Sequence, residues 1–441
     1  MEVERSFNEF VAENFASVSK SIRKESRSVR NRIQSIFCDA AFVKEVELSY
    51  QLPLVANERC GRWYIDPRDI TESVYFKSTD GHNGQWGFSF RRLNTHLLDT
   101  IARNGGVIIV DSTRRGKRMP DALSKTIPIW CAVLNKALLG FGMFYTPPNA
   151  VSASECSQIE ELLPQWVSQF KSMDLNLNAL RIRLNNKPLR PIWVTPDSYL
   201  PENPPTFEEF LPIVLCTASR MVQDGTEFRQ GFCYVQGAAD DHEEWAKLLT
   251  PDILWNNRHK LKQMHYSDQE LHELISQMQV YSIANDVMIQ KADWTRIEPT
   301  NLWIGKTGNA GNIPFEIIID LSEHAAEEGG KNIIVQRLHA GKKGSKDLRA
   351  SLPKILSQYE ILHSPDKQVL ITCDSGSDFS VGVALVLFCL YYTREGECRP
   401  IKTAQYMDKD TIRQRLAFIV TQRKVNPSRA TLNSANAYLM S

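Results

Sequence analysis

Residues 369–392, VLITCDSGSDFSVGVALVLFCLYY, constrain this chain more than any other stretch. Val369–Thr372 read as a buried strand, the polar run opening at Cys373 as a tight loop, and the apolar run beyond it as a helix starting near Ser380. A strand that turns tightly into a helix N-terminus aims backbone N–H groups and the positive end of a helix dipole at one spot. That arrangement cradles a phosphate.

Cysteine phosphatases use the same architecture, and they need an arginine six residues after the cysteine to clamp the phosphate. Here that position holds Phe379, preceded by Asp378. The side chain required for hydrolysis is missing and carboxylates have come in. The loop is therefore expected to hold a phosphorylated molecule for another reaction. Ser375, Gly376, Ser377 and Ser380 supply hydroxyl and amide donors. Asp374 and Asp378 repel a phosphate but suit ribose hydroxyls or magnesium. Without the arginine, Cys373 is expected to hydrogen-bond rather than attack. The alternative is a degenerate loop that only closes a turn.

At 441 residues the chain is too long for one ordinary core, and its 42% hydrophobic and 23% charged content is that of a globular protein. A net charge of +1 leaves nucleic acid open, because local patches decide. The longest apolar run, Val381–Tyr392, is shorter than the about 20 residues that a bilayer-spanning helix needs. The opening MEVERSFNEF lacks the apolar stretch of a signal peptide. No membrane partner is expected. Nine cysteines without a CxxC pair argue against a zinc site or a disulfide framework. They point to a reducing compartment, cytoplasmic or also nuclear.

Val11, Phe15, Val18, Ile22, Val29, Ile33 and Ile36 recur at helical spacing, so residues 5–37 read as one helix. Lys20, Arg23, Lys24, Arg27, Arg30 and Arg32 cover much of its remaining surface, either as a solvated face or as an arm for nucleic-acid phosphates. GVIIVDS is a buried strand running straight into TRRGKR, where Arg114, Arg115, Lys117 and Arg118 surround Gly116 between Asp111 and Asp121. Four cations in five residues at a strand end make an anion site. A second strand-and-loop unit, FCYVQGAADDHEEWAKLL (232–249), puts Asp240, Asp241 and Glu243 around His242. Its paired carboxylates suit magnesium or a helix cap. A further domain opens near Leu302 with LWIGKTGNAG, which resembles the first strand and turn of dual-specificity phosphatase domains. The basic segment HAGKKGSKDLR (339–349) precedes an expected helix over 351–362, and two helices close the chain.

Taken together, ANERCGRWYIDP, VYFKSTDGH, VIIVDSTRRGKRMPDALSKTIPIWCAVLN, YVQGAADDHE, CDSGSDFSVGVAL and NPSRATLNS resemble the initiator tRNA phosphoribosyltransferase family, the tRNA A64-2′-O-ribosylphosphate transferases of fungi and plants. The resemblance spans nearly the whole chain. It implies an N-terminal α/β domain of unusual topology (1–299, with the basic helix at 5–37). It also implies a C-terminal dual-specificity-phosphatase-like α/β domain (300–441) that carries the Cys373 loop. The implied reaction moves 5-phosphoribosyl from 5-phosphoribosyl 1-pyrophosphate (PRPP), with Mg2+, to the 2′-hydroxyl of adenosine 64 of initiator methionine tRNA. Pyrophosphate is released, and the modified tRNA is kept out of elongation. One departure is Ser377, where many relatives are expected to carry lysine.

On that reading Asp378, Asp374, Arg115 and His82 are the catalytic candidates. Candidates for the base that takes the 2′-hydroxyl proton are His82, Asp80 and the Asp240–Asp241–His242 cluster. Cys373, Ser375, Gly376, Ser377, Ser380, Arg114, Lys117, Arg118, Lys343 and Lys346 are expected to bind substrate, with the Arg114–Arg118 cluster gripping either pyrophosphate or tRNA backbone. Lys343 and Lys346 are expected to meet phosphates of tRNA or PRPP. Arg23, Lys24, Arg27 and Arg30 are expected to contact RNA, and Asp240 and Asp241 to take a metal. Loss of pyrophosphate creates an oxocarbenium-like centre, so catalysis rests mainly on positioning and preorganised charge. The competing reading is a phosphatase-like RNA-binding protein without transferase activity.

Overall fold

The computed structural model describes residues 27–79, 84–263, 265–286, 293–308, 315–325, 331–339, 341–403 and 407–440. The chain groups into two compact units. The first comprises Met1–Phe88, Thr100–Gln165 and Arg181–Asp286, and the second comprises Ser89–Asp99, Trp166–Leu180 and Val287–Ser441.

The first unit is built on a sheet of β1 (Leu54–Asn57), β2 (Ile70–Val74), β3 (Val107–Asp111), β4 (Leu189–Val194) and β5 (Leu211–Thr217). Their order is β2-β1-β3-β5-β4, and every neighbouring pair is parallel. β3 and β5 are buried at every residue, so VIIVD and LPIVLCT are near-continuous apolar runs rather than alternating ones. The chain passes from β1 to β2 on one side and returns to β3 on the other. The carboxyl ends of β1 and β3 therefore flank a topological switch point, where open α/β sheets form a ligand crevice.

The N-terminal helix differs from its expected bounds. Helix α1 runs Val29–Tyr50, and Ser28 before it is extended, its side chain accepting from the Asn31 N–H at 3.3 Å. That cap starts the helix, so no single helix crosses from residue 5 to 37. Residues 1–26 lie outside the described part. The helix outlasts residue 37 because its buried stripe continues through Ala40, Val43 and Val46. Asp268 receives the N–H groups of Val29 and Arg30 at 3.3 and 3.1 Å and satisfies the first turn further. The 232–249 segment opens with the short strand expected of it, and the pairing of that strand adds a hairpin. Strand β6 (Thr226–Arg229) and strand β7 (Phe232–Val235) form an antiparallel hairpin outside the parallel sheet.

The second unit holds β8 (Trp294–Arg296), β9 (Leu302–Lys306), β10 (Ile317–Asp320), β11 (Ile333–Val335) and β12 (Val369–Cys373) in the order β11-β10-β12-β9-β8. All pairs are parallel except the β8–β9 edge. Cys373 thus ends the central strand. Helix α2 spans Gly341–Leu362 and passes through Pro353. The basic segment expected to precede a helix at 351 forms that helix's own first turns. Helices α3 (Phe379–Tyr391), α4 (Lys409–Gln422) and α5 (Arg429–Leu439) complete the unit. Among the described residues, no helix is long and apolar enough to cross a membrane.

Candidate active site

In the first unit the chemistry gathers where β1 and β3 end. Asp111, the last residue of β3, is fully buried. Its Oδ2 accepts from Asn57 Nδ2 at 2.8 Å and Arg59 Nε at 3.2 Å, and its Oδ1 from Cys60 Sγ and the Ser112 N–H, both at 2.9 Å. Arg59 also donates to Asp240 and to the Ser112 carbonyl. Burial alone lowers the Arg59 pKa, but the carboxylates of Asp111 and Asp240 outweigh it and raise it, so the guanidinium stays charged. Burial pushes the Cys60 thiol well above its ordinary value and keeps it protonated. Desolvation also raises Asp240, against the pull of Arg59.

This cluster anchors the cationic loop 112–118. Gln236 Nε2 donates to the carbonyls of Arg114 (3.1 Å) and Lys117 (2.8 Å), and Ser219 Oγ donates to the Thr113 carbonyl (3.0 Å). Gly237, at φ +61°, lies so close that an added Cβ would sit 2.4 Å from the Thr113 carbonyl oxygen. The loop backbone is fixed while its guanidinium groups reach outward. Arg114 meets Asp241 at 3.4 Å, Arg115 meets Asp224 at 3.5 Å, and Arg118 meets Asp197 at 3.8 Å, all at exposed positions. Such long, solvated pairs are weak. Lys117 is tied to Asp121 at 3.1 Å.

Asp240 and Asp241 therefore each face an arginine. Neither caps the short helix His242–Trp245, since Asp241 at its cap position makes no side-chain capping bond. His242 Nδ1 lies 3.0 Å from the Ala239 carbonyl. His82 and Asp80 lie outside the described residues, as do Arg23 and Lys24. Arg30 holds the β6–β7 hairpin through the Gly231 carbonyl at 2.9 Å, and Arg27 is exposed, its carbonyl accepting from Arg32 Nε at 3.2 Å.

In the second unit the Cys373 loop lies at the carboxyl end of β12, as its sequence required. Cys373 is buried, and its Sγ donates to Ser380 Oγ at 3.2 Å and lies 3.6 Å from Ser375 Oγ. Gly376, at φ +62°, presses on the Lys306 backbone. Two loop amides turn inward: the Gly376 N–H donates to the Cys373 carbonyl and the Ser377 N–H to Ser375 Oγ. The carboxylates are engaged by backbone. Asp378 accepts from the Ser428 N–H at 2.8 Å, and Asp374 accepts from the Glu323 N–H at 3.1 Å. Phe379 is buried and packs over Gly344. Arg423, from the end of α4, donates to the Gly376 carbonyl at 3.4 Å while gripping Asp293 with both terminal nitrogens at 3.1 and 2.7 Å. Lys343 and Lys346 stand exposed on the first turns of α2, Lys343 Nζ 3.1 Å from His339 Nε2.

Sequence reasoning missed Arg59, Gln236 and Gly237. The signal for Arg59 was ANERCGR following a short apolar strand, but only the pairing of β1 with β3 brings it to Asp111.

The two units define a class: an α/β protein with a cationic strand-end loop and a phosphatase-type cysteine loop lacking the hydrolytic arginine. Comparison with known proteins narrows this. The Rit1 N-terminal domain matches residues 22–280, and the Rit1 DUSP-like domain matches residues 332–439. The chain is 38% identical to the tRNA A64-2′-O-ribosylphosphate transferase of Saccharomyces cerevisiae, over 97% of this chain and 95% of that one. It is 39% identical to an uncharacterised protein of Schizosaccharomyces pombe, over 96% of each. A solved structure, the PTP-2 phosphatase of Cydia pomonella, aligns with 33% of this chain and 89% of its own at 16% identity and a TM-score of 0.25. The chain belongs to the Rit1 family.

Proposed function

We propose that this protein transfers a 5-phosphoribosyl group from PRPP to the 2′-hydroxyl of adenosine 64 of initiator methionine tRNA, releasing pyrophosphate and keeping that tRNA out of elongation. The observation that carries this reading is the 38% identity over 97% of the chain to the yeast transferase of that name. The site chemistry supports it. Arg114, Arg115 and Arg118 present guanidinium groups in weak exposed pairs, suited to take up the charge that grows on a leaving pyrophosphate. Arg59, Asp111 and Gln236 hold the loop backbone still, so little reorganisation is needed as that charge develops.

The Cys373 loop serves this reading as a phosphate-holding element that does not attack. Its thiol is hydrogen-bonded to Ser380, and Phe379 occupies the arginine position. Asp240 and Asp241, each against an arginine, fit ion pairs better than a magnesium site. We therefore assign the Mg2+ expected with PRPP to the pyrophosphate itself, where magnesium commonly sits on substrate phosphates and keeps its waters.

The test is incubation with PRPP and initiator tRNA, followed by mass spectrometry of nuclease fragments. A gain of one phosphoribosyl unit at adenosine 64 is expected, with Cys373→Ser keeping much of the rate. Tight tRNA binding without that gain would favour a non-catalytic module. A folded but inactive Cys373→Ser would restore a nucleophilic role to the thiol.

A further inference from the structure

We infer that the groove between the first turns of α2 and α5 seats the phosphate backbone of the tRNA. This rests on the tRNA reading proposed above and adds a surface that neither strand-end loop provides. The groove encloses about 620 Å³ and is lined by Lys346, Arg349, Ala350, Ala430, Asn433 and Ser434, among others, and by none of residues 373–380.

Its form follows from small residues at a helix contact. Ser434 Oγ donates to the Ser345 carbonyl at 2.6 Å, and Ser345 Oγ lies 3.4 Å from Thr431 Oγ1. The helices touch along this floor, and the long side chains stand up at the walls. Lys346 and Arg349 are three residues apart on α2, while Arg429 and Asn433 are four apart on α5, so each pair shares one helix face.

The charge is one-sided. Residues 341–359 contain Lys342, Lys343, Lys346, Arg349 and Lys354 against a single acid, Asp347, and residues 424–441 contain Lys424 and Arg429 with no acid. Asp347 is already engaged by His339 Nδ1 at 2.8 Å. Among the described residues, Lys346, Arg349 and Arg429 make no ion pair. Three other cations of the same unit are matched: Arg394 with Asp174 at 2.5 Å, Lys402 with Glu360 at 2.8 Å, Arg413 with Asp410 at 2.8 Å. Cations left unneutralised around an open groove repel one another unless a polyanion enters. Lys346 and Arg349 on one wall, with Arg429 exposed next to lining Ala430 on the other helix, fit successive phosphates better than one small anion. Asn433, exposed on the wall, adds an amide able to meet a ribose 2′-hydroxyl.

The experiment uses the full chain and initiator tRNA, with affinity measured by fluorescence anisotropy from 50 to 300 mM salt. The triple variant Lys346→Ala, Arg349→Ala, Arg429→Ala is expected to bind about tenfold more weakly at 150 mM salt, with the slope of log Kd against log salt reduced by about 2. Its melting temperature and its KM for PRPP should stay those of the wild type. Lys402→Ala, which removes an already paired cation, should leave affinity and slope unchanged. Wild-type affinity and slope in the triple variant would overturn the inference. So would a raised KM for PRPP with tRNA affinity intact, which would make the groove a donor site. If the wild type binds tRNA through this groove yet leaves adenosine 64 unmodified, the transferase reading falls and the RNA seat stands.

Discussion

Arg59 is the cation in contact with two carboxylates, Asp111 and Asp240, whose side chains are 0% and 6% exposed. Arg59→Ala leaves both charges in place without it, and stability is expected to fall by about 3–5 kcal/mol, read from the denaturant midpoint. Unchanged stability would mean that the carboxylates are solvated in solution. Asp39 poses the opposite case. It is fully buried on α1, accepts from Tyr234 Oη at 2.7 Å, and is held well above the usual carboxylate range by desolvation. Below pH about 4 both folded and unfolded chains carry its proton, and its contribution to stability is fully present. As pH rises through the raised folded pKa, the unfolded chain loses the proton first and that contribution is lost. Asp39→Asn cannot titrate, so its stability should decline less than the wild type's between pH 4 and 7. Parallel decline in the two proteins would sink this account.

At the scale of elements, the strand-end loops depend on close backbone approaches. Gly237→Ala would put a methyl group against the Thr113 carbonyl at a positive φ, so the 112–118 loop must move. Transferase activity is expected to drop at least tenfold while tRNA affinity stays within about threefold, the split expected when positioning rather than binding is lost. Equal loss of both would instead place the loop in tRNA binding. Both strand-end loops were legible in the sequence, because VIIVDSTRRGKR and VLITCDSGSD each pass abruptly from apolar to polar. What sits beside them was not. Arg59 reaches Asp111 only through the β1–β3 register, a long-range pairing that no local spacing encodes. The start of α2 was hidden by Gly341, Gly344 and Pro353, which read as breakers but lie within the helix. The hairpin that carries Gln236 was legible only as a short strand and loop, because its apolar run is too short to declare its partner.

At the scale of the molecule, the second unit is not one continuous piece of chain. It includes Ser89–Asp99 and Trp166–Leu180, bound by Arg92 Nε to Asn426 Oδ1 at 2.7 Å, by Gln414 Nε2 to the Ser172 carbonyl at 2.9 Å, and by Arg394 to Asp174. Residues 287–441 produced alone lack those partners, so the amides of α4 should exchange hydrogen faster than in the full chain. Equal protection would show that the C-terminal stretch is self-sufficient. The same interleaving bears on biosynthesis. Phe170 and Met173 are buried in the finished protein, yet they leave the ribosome long before residues 287–441 arrive to complete their unit. At roughly 5–20 residues per second, they wait for their partners for about 13–54 s. During that interval the nascent polypeptide is a natural client for chaperones, and a pause in translation before residue 441 would prolong its exposure to aggregation.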